Sequence, residues 1–144
     1  GKSEDSRVAK IRERLSGCVI CEQLDGALNR YAYTIAQLYG TNTEFKQMLD
    51  ASKGFCLPHL ALVLDMAQKT LPAAQADAFS KAVAAVELPN LKRLSDELEW
   101  FTLKYDFRNA DKPWGNSRDA VERSINKLMG ACVGDEAKMP AHND

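Results

Sequence analysis

The chain has few of the residues on which most catalytic sites depend. Its 144 residues include only two histidines, His59 and His142, and a histidine so near the end of a sequence is a poor candidate for a functional site. The sequence contains no Ser/His/Asp set, no glycine-rich phosphate loop and no H-E-x-x-H motif, which are common signatures of hydrolases, nucleotide-binding proteins and zinc proteases. We therefore expect a protein that is not an enzyme. An enzyme that uses its cysteine thiols remains the alternative.

Strong net charge and long apolar runs are also missing. The 19 basic and 20 acidic side chains give a formal net charge of −1, so nothing steers the whole protein to nucleic acid or to an anionic membrane. No apolar stretch approaches the roughly 20 residues that cross a bilayer. Residues 1–5 have no signal-peptide character, and the thiols have no evident disulfide pattern. We expect a cytoplasmic protein with an unknown protein or small-molecule partner.

Strand-like alternation, internal repeats and low-complexity tracts are absent as well. Apolar residues instead recur every three or four positions, which is typical of amphipathic helices. With 45% apolar residues, a chain of this length can bury a core without disulfide bonds. The sequence predicts one all-α domain at residues 1–134, a bundle of five to six helices with a metal site near the N-terminal helices, and a disordered tail at residues 135–144.

Glycines, prolines and capping residues predict where the helices begin and end. Gly40 is expected just after a long helix, Thr43 at the cap of the next one, and Asn116 with Asp119 resembles a capping box. Pro89 is expected to kink a long helical segment or to split it in two. The predicted helices cover residues 7–15, 19–39, 43–53, 57–71, 73–105 and 117–130.

Two closely spaced pairs of metal-ligand residues are the most specific feature of the sequence. Cys18 and Cys21 form C-x2-C, and Cys56 and His59 form C-x2-H. A structural zinc ion takes four Cys or His ligands in a tetrahedron, and such a pair can bind one ion from a single turn. Residues three apart share one face of a helix, and Pro58 suits a first helical turn. The sequence predicts a closed Cys3His zinc site that ties two helical segments together.

Other interpretations of the cysteines stay open. They could be buried core residues, a thioredoxin-like redox pair, or ligands of an iron–sulfur cluster in a redox protein or sensor. Cys132 could replace His59 as the fourth ligand, or it could be a free thiol or a core residue at a helix end. The paired spacing also resembles that of zinc fingers, but no basic helix follows the second pair, so we do not expect a nucleic-acid partner.

The segment from Tyr105 to Asn116 is the second candidate for function. It has no helical periodicity, and it mixes large rings, amides and charges of both signs. One interpretation is a pinned connector, in which Trp114 and Phe107 dock onto the bundle and Arg108 pairs with Asp111 or with another helix. The other is a recognition surface, in which Trp114 stacks on a ligand and Arg108 clamps an anion or a carboxylate. The candidate recognition residues are Arg108, Asp111, Lys112, Trp114 and Asn116.

These motifs together resemble a bacterial family of unknown function, DUF6062. The resemblance rests on the C-x2-C start, the Gly-Phe-Cys-x2-His box at 54–59, Glu-Trp-Phe at 99–101 and the segment at 105–116, and it covers roughly residues 15–130. The family implies no activity. It implies that Cys18, Cys21, Cys56 and His59 act together as presumed ligands, and that Asp111, Lys112, Trp114 and Asn116 belong to a second signature.

Overall fold

The computed structural model describes residues 5–16 and 19–130, without the side chains of residues 13, 15, 16 and 21. Cys18, Cys132, His142 and the predicted tail at 135–144 lie outside these residues. Every regular element in the described ranges is helical, which confirms the predicted all-α class. Among the described helices none is both long enough and apolar enough to cross a membrane.

The described residues form six α-helices, within the predicted five to six. Residues 104–119 form a long connection between the last two. A short 3-10 helix, Phe107–Asn109, interrupts the connection between the last two. The helices are α1, Ser6–Ser16; α2, Val19–Thr41; α3, Thr43–Asp50; α4, Leu57–Thr70; α5, Ala73–Leu103; and α6, Ala120–Met129.

The core forms where α2, α4 and α5 meet. Phe79 and Val83 of α5 pack there against Ala36 of α2 and Ala67 of α4, and all four are fully or almost fully buried. Alanines at these positions let the helix backbones approach closely, while the large ring of Phe79 fills the space between them. Val63 and Ala67 of α4 pack against Ala32 and Ala36 of α2 in this core.

Helices α2 and α4 run in the same direction. Leu28, early in α2, and His59, at the start of α4, line the same cleft. At the other end, a Cβ on Gly40, near the end of α2, would lie 3.4 Å from the Gln75 side chain, which belongs to the first turn of α5, just after α4. The parallel arrangement places the first residues of α2 on the same side of the bundle as the first residues of α4.

Three of the predicted helix boundaries are wrong. Gly40 lies inside α2, and Asn42, not Thr43, caps α3 by accepting a hydrogen bond from the Phe45 N–H at 2.9 Å. Asn42 satisfies a free N–H of the first turn directly, so no glycine is needed to end α2. At α6, the Asp119 side chain makes no cap hydrogen bond and pairs with Arg123, so the helix begins at Ala120 rather than at 117.

The predicted split at Pro89 is also wrong, because α5 continues through it from Ala73 to Leu103. A proline removes one backbone hydrogen bond and crowds the preceding turn. Buried residues on both sides, among them Val86 and Leu94, hold the helix in register against the bundle. Packing over 31 residues outweighs one local defect.

Candidate functional site

The second predicted ligand pair lies at the head of α4. Cys56 is the residue just before the helix, and its side chain makes no cap hydrogen bond. His59 follows in the first turn, and the Cys56 Sγ and His59 Nδ1 atoms are 3.1 Å apart. Two ligands of one tetrahedral zinc ion are about 3.6 Å apart by ordinary Zn–S and Zn–N bond lengths. If the Cys56 Sγ and His59 Nδ1 atoms moved apart by about half an ångström, they would have the separation of two ligands of one zinc ion.

A buried ion pair fixes the loop that carries Cys56. Glu87 of α5 and Lys127 of α6 form an ion pair, and the two residues are 3% and 9% exposed. Glu87 also accepts a hydrogen bond from the Phe55 N–H, and Lys127 donates to the Lys53 carbonyl at 3.1 Å. Gly54 adopts φ +71°, and a Cβ there would overlap the Glu87 carboxylate. The pair therefore holds the backbone next to Cys56 from two sides.

The C-terminal end of α6 packs against the same cysteine. Gly130 ends α6 in a left-handed conformation with φ +69°, and a Cβ at this position would lie 3.1 Å from the Cys56 Sγ atom. A glycine is favoured here both by its backbone conformation and by the short distance. Cys132 stands two residues further along the chain, outside the described range.

The first predicted ligand pair cannot be placed atom by atom. Cys18 is outside the described residues, and Cys21 lies in α2 without a described side chain. Cys21 precedes Leu28 by seven residues, which is about 10 Å along a helix, and Leu28 is level with His59. Among the side chains that are described, no group of three or more His, Cys, Asp or Glu could hold a metal ion. The side chains of Cys18 and Cys21 are not among them.

The segment after α5 is pinned by a buried lysine that sequence analysis did not single out. Lys104 is 7% exposed, and its ammonium donates to the carbonyls of Asn109, Ala110 and Lys112 at 2.6–2.8 Å. The Trp100 Nε1–H donates to the Pro113 carbonyl at 3.1 Å. A single charged group thus donates to three backbone carbonyls of a largely irregular segment.

The predicted recognition residues of this segment do not converge on one point. Arg108 pairs with Asp106, whose pKa is lowered by the side-chain hydrogen bonds from that guanidinium. Asp111 is exposed, and Lys112 donates to the Asn109 side chain at 2.7 Å.

Trp114 is half-buried against Phe101, with ring centres 5.9 Å apart, which agrees with the predicted docking. Phe107 was expected to dock as well, but it is 86% exposed, so that prediction is wrong. Trp114 and Asn116 do share a cleft, which they line together with Trp100 and Glu97.

Two of the buried charged residues, Glu87 and Lys127, occupy positions that the helical periodicity of the sequence assigns to the core. Glu87 stands four residues after Val83, in the register of the buried face of α5, and Lys127 stands seven residues after the buried Ala120. A charged residue in a core register needs a partner, because an unpaired buried charge is very costly. The sequence could have shown that these two charged residues are buried, but it could not have shown that they form an ion pair with each other.

Most of the chain matches the model of one protein family. The family model described as a family of unknown function, DUF6062, matches residues 1–135, and the chain belongs to that family. No curated protein and no solved structure matches the chain.

Proposed function

We propose that this member of the DUF6062 family is a non-enzymatic zinc protein in which Cys18, Cys21, Cys56 and His59 hold one structural Zn2+ ion. The observation that carries the proposal is the 3.1 Å approach of the Cys56 Sγ and His59 Nδ1 atoms at the head of α4. The parallel course of α2 and α4 supports it, because the N-terminal part of α2, which contains Cys21, and the head of α4 belong to the same end of the bundle. Ligation would have to close the distance of about 10 Å along α2 between the levels of Cys21 and His59. Zinc ligation would join these two helix starts.

A closed Cys3His shell has no open position for water or substrate, so the ion would stabilise the fold and would not catalyse hydrolysis. The role of the protein would then be interaction. The segment at 105–116 supports this part of the proposal, because Lys104 holds its backbone in one shape while Phe107 and Arg108 stay exposed. A rigid segment with an exposed ring and a guanidinium has the composition of a protein contact site.

The alternative is a redox protein or sensor that uses the same thiols, with or without an iron–sulfur cluster. It is favoured by the place of Cys56, which is half-exposed and directly precedes α4. The positive end of a helix dipole stabilises a thiolate. The two functions differ in metal, colour and reaction with thiol reagents.

The experiment that tests the zinc site measures metal per chain and visible absorption on protein purified without added metal. The chain offers two matched controls, Cys132→Ser for Cys56→Ser and His142→Ala for His59→Ala. We expect one zinc per chain and no colour in the wild type, with zinc lost in the Cys56 and His59 variants and kept in both controls.

Cobalt in place of zinc then reports the ligand set, because thiolate-to-metal absorption grows with the number of sulfur ligands. Zinc loss in Cys132→Ser together with retention in His59→Ala would replace the Cys3His set by four cysteines. Iron with a charge-transfer band would favour the redox alternative. A protein with no metal and freely reactive thiols would overturn the site.

A further inference from the structure

A continuous groove runs along α5 from the Cys56 loop to the two tryptophans. The cavity next to Cys56 and a larger one of about 510 Å³ share the walls Lys53, Arg93 and Arg123. The larger cavity in turn shares Glu97 with a third cavity at the far end. The three cavities therefore form one surface, and no part of it depends on a residue outside the described ranges.

The middle of this groove carries an excess of positive charge. Glu97 lies between two guanidiniums, pairing with Arg93 at 3.0 Å and with Arg123. Asp119 also pairs with Arg123, at 2.8 Å, and that hydrogen bond lowers the pKa of the Asp119 carboxyl. The cavity wall holds four cations and two carboxylates: Lys53, Arg93, Arg118, Arg123, Glu97 and Asp119. Four minus two leaves an excess of two positive charges, in a chain whose formal net charge is −1.

The carboxylates fix the guanidiniums in place without neutralising the whole group. Arg123 is 13% exposed and anchored by Glu97 and Asp119, whereas the Arg93 side chain is 38% exposed. Guanidinium N–H groups held in a fixed orientation suit the oxygen atoms of a phosphate group, which accept several charge-assisted hydrogen bonds at once. A phosphate monoester carries a charge of about −1.5 to −2 at neutral pH, which matches the excess in the groove.

The far end of the groove is aromatic. Arg93, Glu97 and Trp100 recur at steps of four and three, so they share one face of α5. Arg93 and Trp100 are two helical turns apart, about 10 Å. Trp100 is oriented by its hydrogen bond to the Pro113 carbonyl, and Trp114 lines the same cavity. The exposed side chains of Lys112 and Arg118 lie over the Trp100 and Trp114 rings, each 5.9 Å from the ring centre. A planar group that displaces these flexible side chains would find two half-buried rings to lie against.

We propose that this groove binds a small phosphorylated molecule with a planar ring. Lys53 and Arg93 contact the phosphate, and the ring lies against Trp100 and Trp114. The proposal is independent of the zinc site, because it uses none of the four predicted ligands.

The test titrates the full-length protein with adenosine 5′-monophosphate, ribose 5-phosphate and adenosine, each alone, and follows tryptophan fluorescence and heat. Both tryptophans of the chain line the far end of the groove, so the fluorescence reports the ring directly. We expect saturable binding of adenosine 5′-monophosphate, at least about tenfold tighter than that of either fragment, since each fragment lacks one of the two contacts. Binding should weaken as salt is added.

The variant Lys53→Gln/Arg93→Gln is compared with Lys69→Gln/Lys81→Gln, which removes the same charge from exposed lysines on α4 and α5. We expect the first to weaken binding at least about tenfold and the second to leave it unchanged, with both melting like the wild type. Equal weakening by both would mean general attraction of anions, and would overturn the site. No saturable binding of adenosine 5′-monophosphate to the wild type would also overturn it. Equal affinity for ribose 5-phosphate would overturn the role of the tryptophans.

Discussion

Lys104 is an unusual residue for the end of a helix, because its charge is buried and directed at backbone carbonyls. Its ammonium donates to the carbonyls of Asn109, Ala110 and Lys112, and it lies 5.2 Å from the centre of the Trp114 ring. Hydrogen bonds from a charged donor are among the stronger ones in a protein. The shape of the segment at 105–116 therefore depends on one side chain that lies just before it.

Replacing Lys104 by methionine keeps the apolar stem and removes the donor. Three carbonyls would each lose a strong hydrogen bond, although that of Asn109 keeps its bond from the Lys112 N–H, and we expect the free energy of unfolding to fall by about 2–3 kcal/mol. Lys112→Met is the matched control, since Lys112 is exposed and makes one side-chain hydrogen bond; it should change stability by less than about 0.5 kcal/mol. Urea unfolding gives both values. Tryptophan emission should shift to the red in Lys104→Met only, and equal behaviour of the two variants would contradict the pinning role.

The ion pair of Glu87 and Lys127 is a second case in which a single side chain connects separate elements. We expect Glu87→Gln and Lys127→Met each to lower the free energy of unfolding by about 3 kcal/mol, because each leaves a buried partner unpaired. The double variant should cost at least about 1 kcal/mol less than the sum of the two. Urea unfolding of the four proteins closes the cycle. If the loss in the double variant equals the sum of the two single losses, the Glu87 and Lys127 side chains do not stabilise each other, even though they are in contact.

At the scale of elements, Pro89 is the most informative departure from expectation. It lies on the exposed side of α5, between the buried residues Val86 and Leu94. The helix continues through the local defect because buried residues on both sides of it pack against the bundle. Pro89→Ala should restore a backbone hydrogen bond to the carbonyl of Ala85 and remove the steric crowding of the ring.

We expect Pro89→Ala to raise the free energy of unfolding by about 1–2 kcal/mol. The helical gain is as much as about 3 kcal/mol, and it is reduced by the greater freedom of the unfolded chain without the proline. Pro72→Ala is the control, because Pro72 is the residue just before α5, where a proline leaves no helical carbonyl without its donor. Circular dichroism during urea unfolding measures both. A loss of stability in Pro89→Ala would mean that the proline shapes a bend that the packing requires.

The number of helices could be predicted to within one from periodicity. Apolar residues that recur every three or four positions over 10 residues or more indicate an amphipathic α-helix. The ends could not be predicted equally well. A cap contributes only about 1 kcal/mol, too little to fix a helix start to the residue, and the sequence predicted Thr43 where the structure has Asn42. Gly40 was mistaken for a helix end for the same reason, since a glycine inside a helix costs only about 1 kcal/mol.

At the scale of the whole molecule, the candidate site could be predicted in part. The spacing of Cys56 and His59 predicted their approach, because three residues on a helix return to the same face. The network of Glu87, Lys127 and the loop before α4 could not be predicted, since it joins residues 40 and 74 positions apart. The groove between α5 and α6 escaped prediction for the same reason, and Arg108, the predicted anion clamp, pairs within its own turn.

The position of the candidate zinc site relative to the core leads to a prediction about metal removal. The buried core, which includes Phe79 and Ala36, is formed mainly by α2, α4 and α5, whereas the two proposed ligands with described side chains, Cys56 and His59, lie at the head of α4. Small zinc domains unfold without metal because they have little other core. Here the core is separate from the site, so loss of zinc should open one side of the bundle and leave the rest folded.

Hydrogen exchange with and without a chelator measures this directly. After chelation we expect amide protection to fall at least about tenfold, or about 1.4 kcal/mol, at residues 19–28 and 54–60, with little change at residues 76–86. Readdition of zinc should restore the protection, and Cys56→Ser should resemble the chelated protein without any addition. Uniform loss over all helices would mean that the ion is required for the whole fold. No change in any helix would mean that the ligand pairs do not hold an ion together, even if zinc is found in the protein.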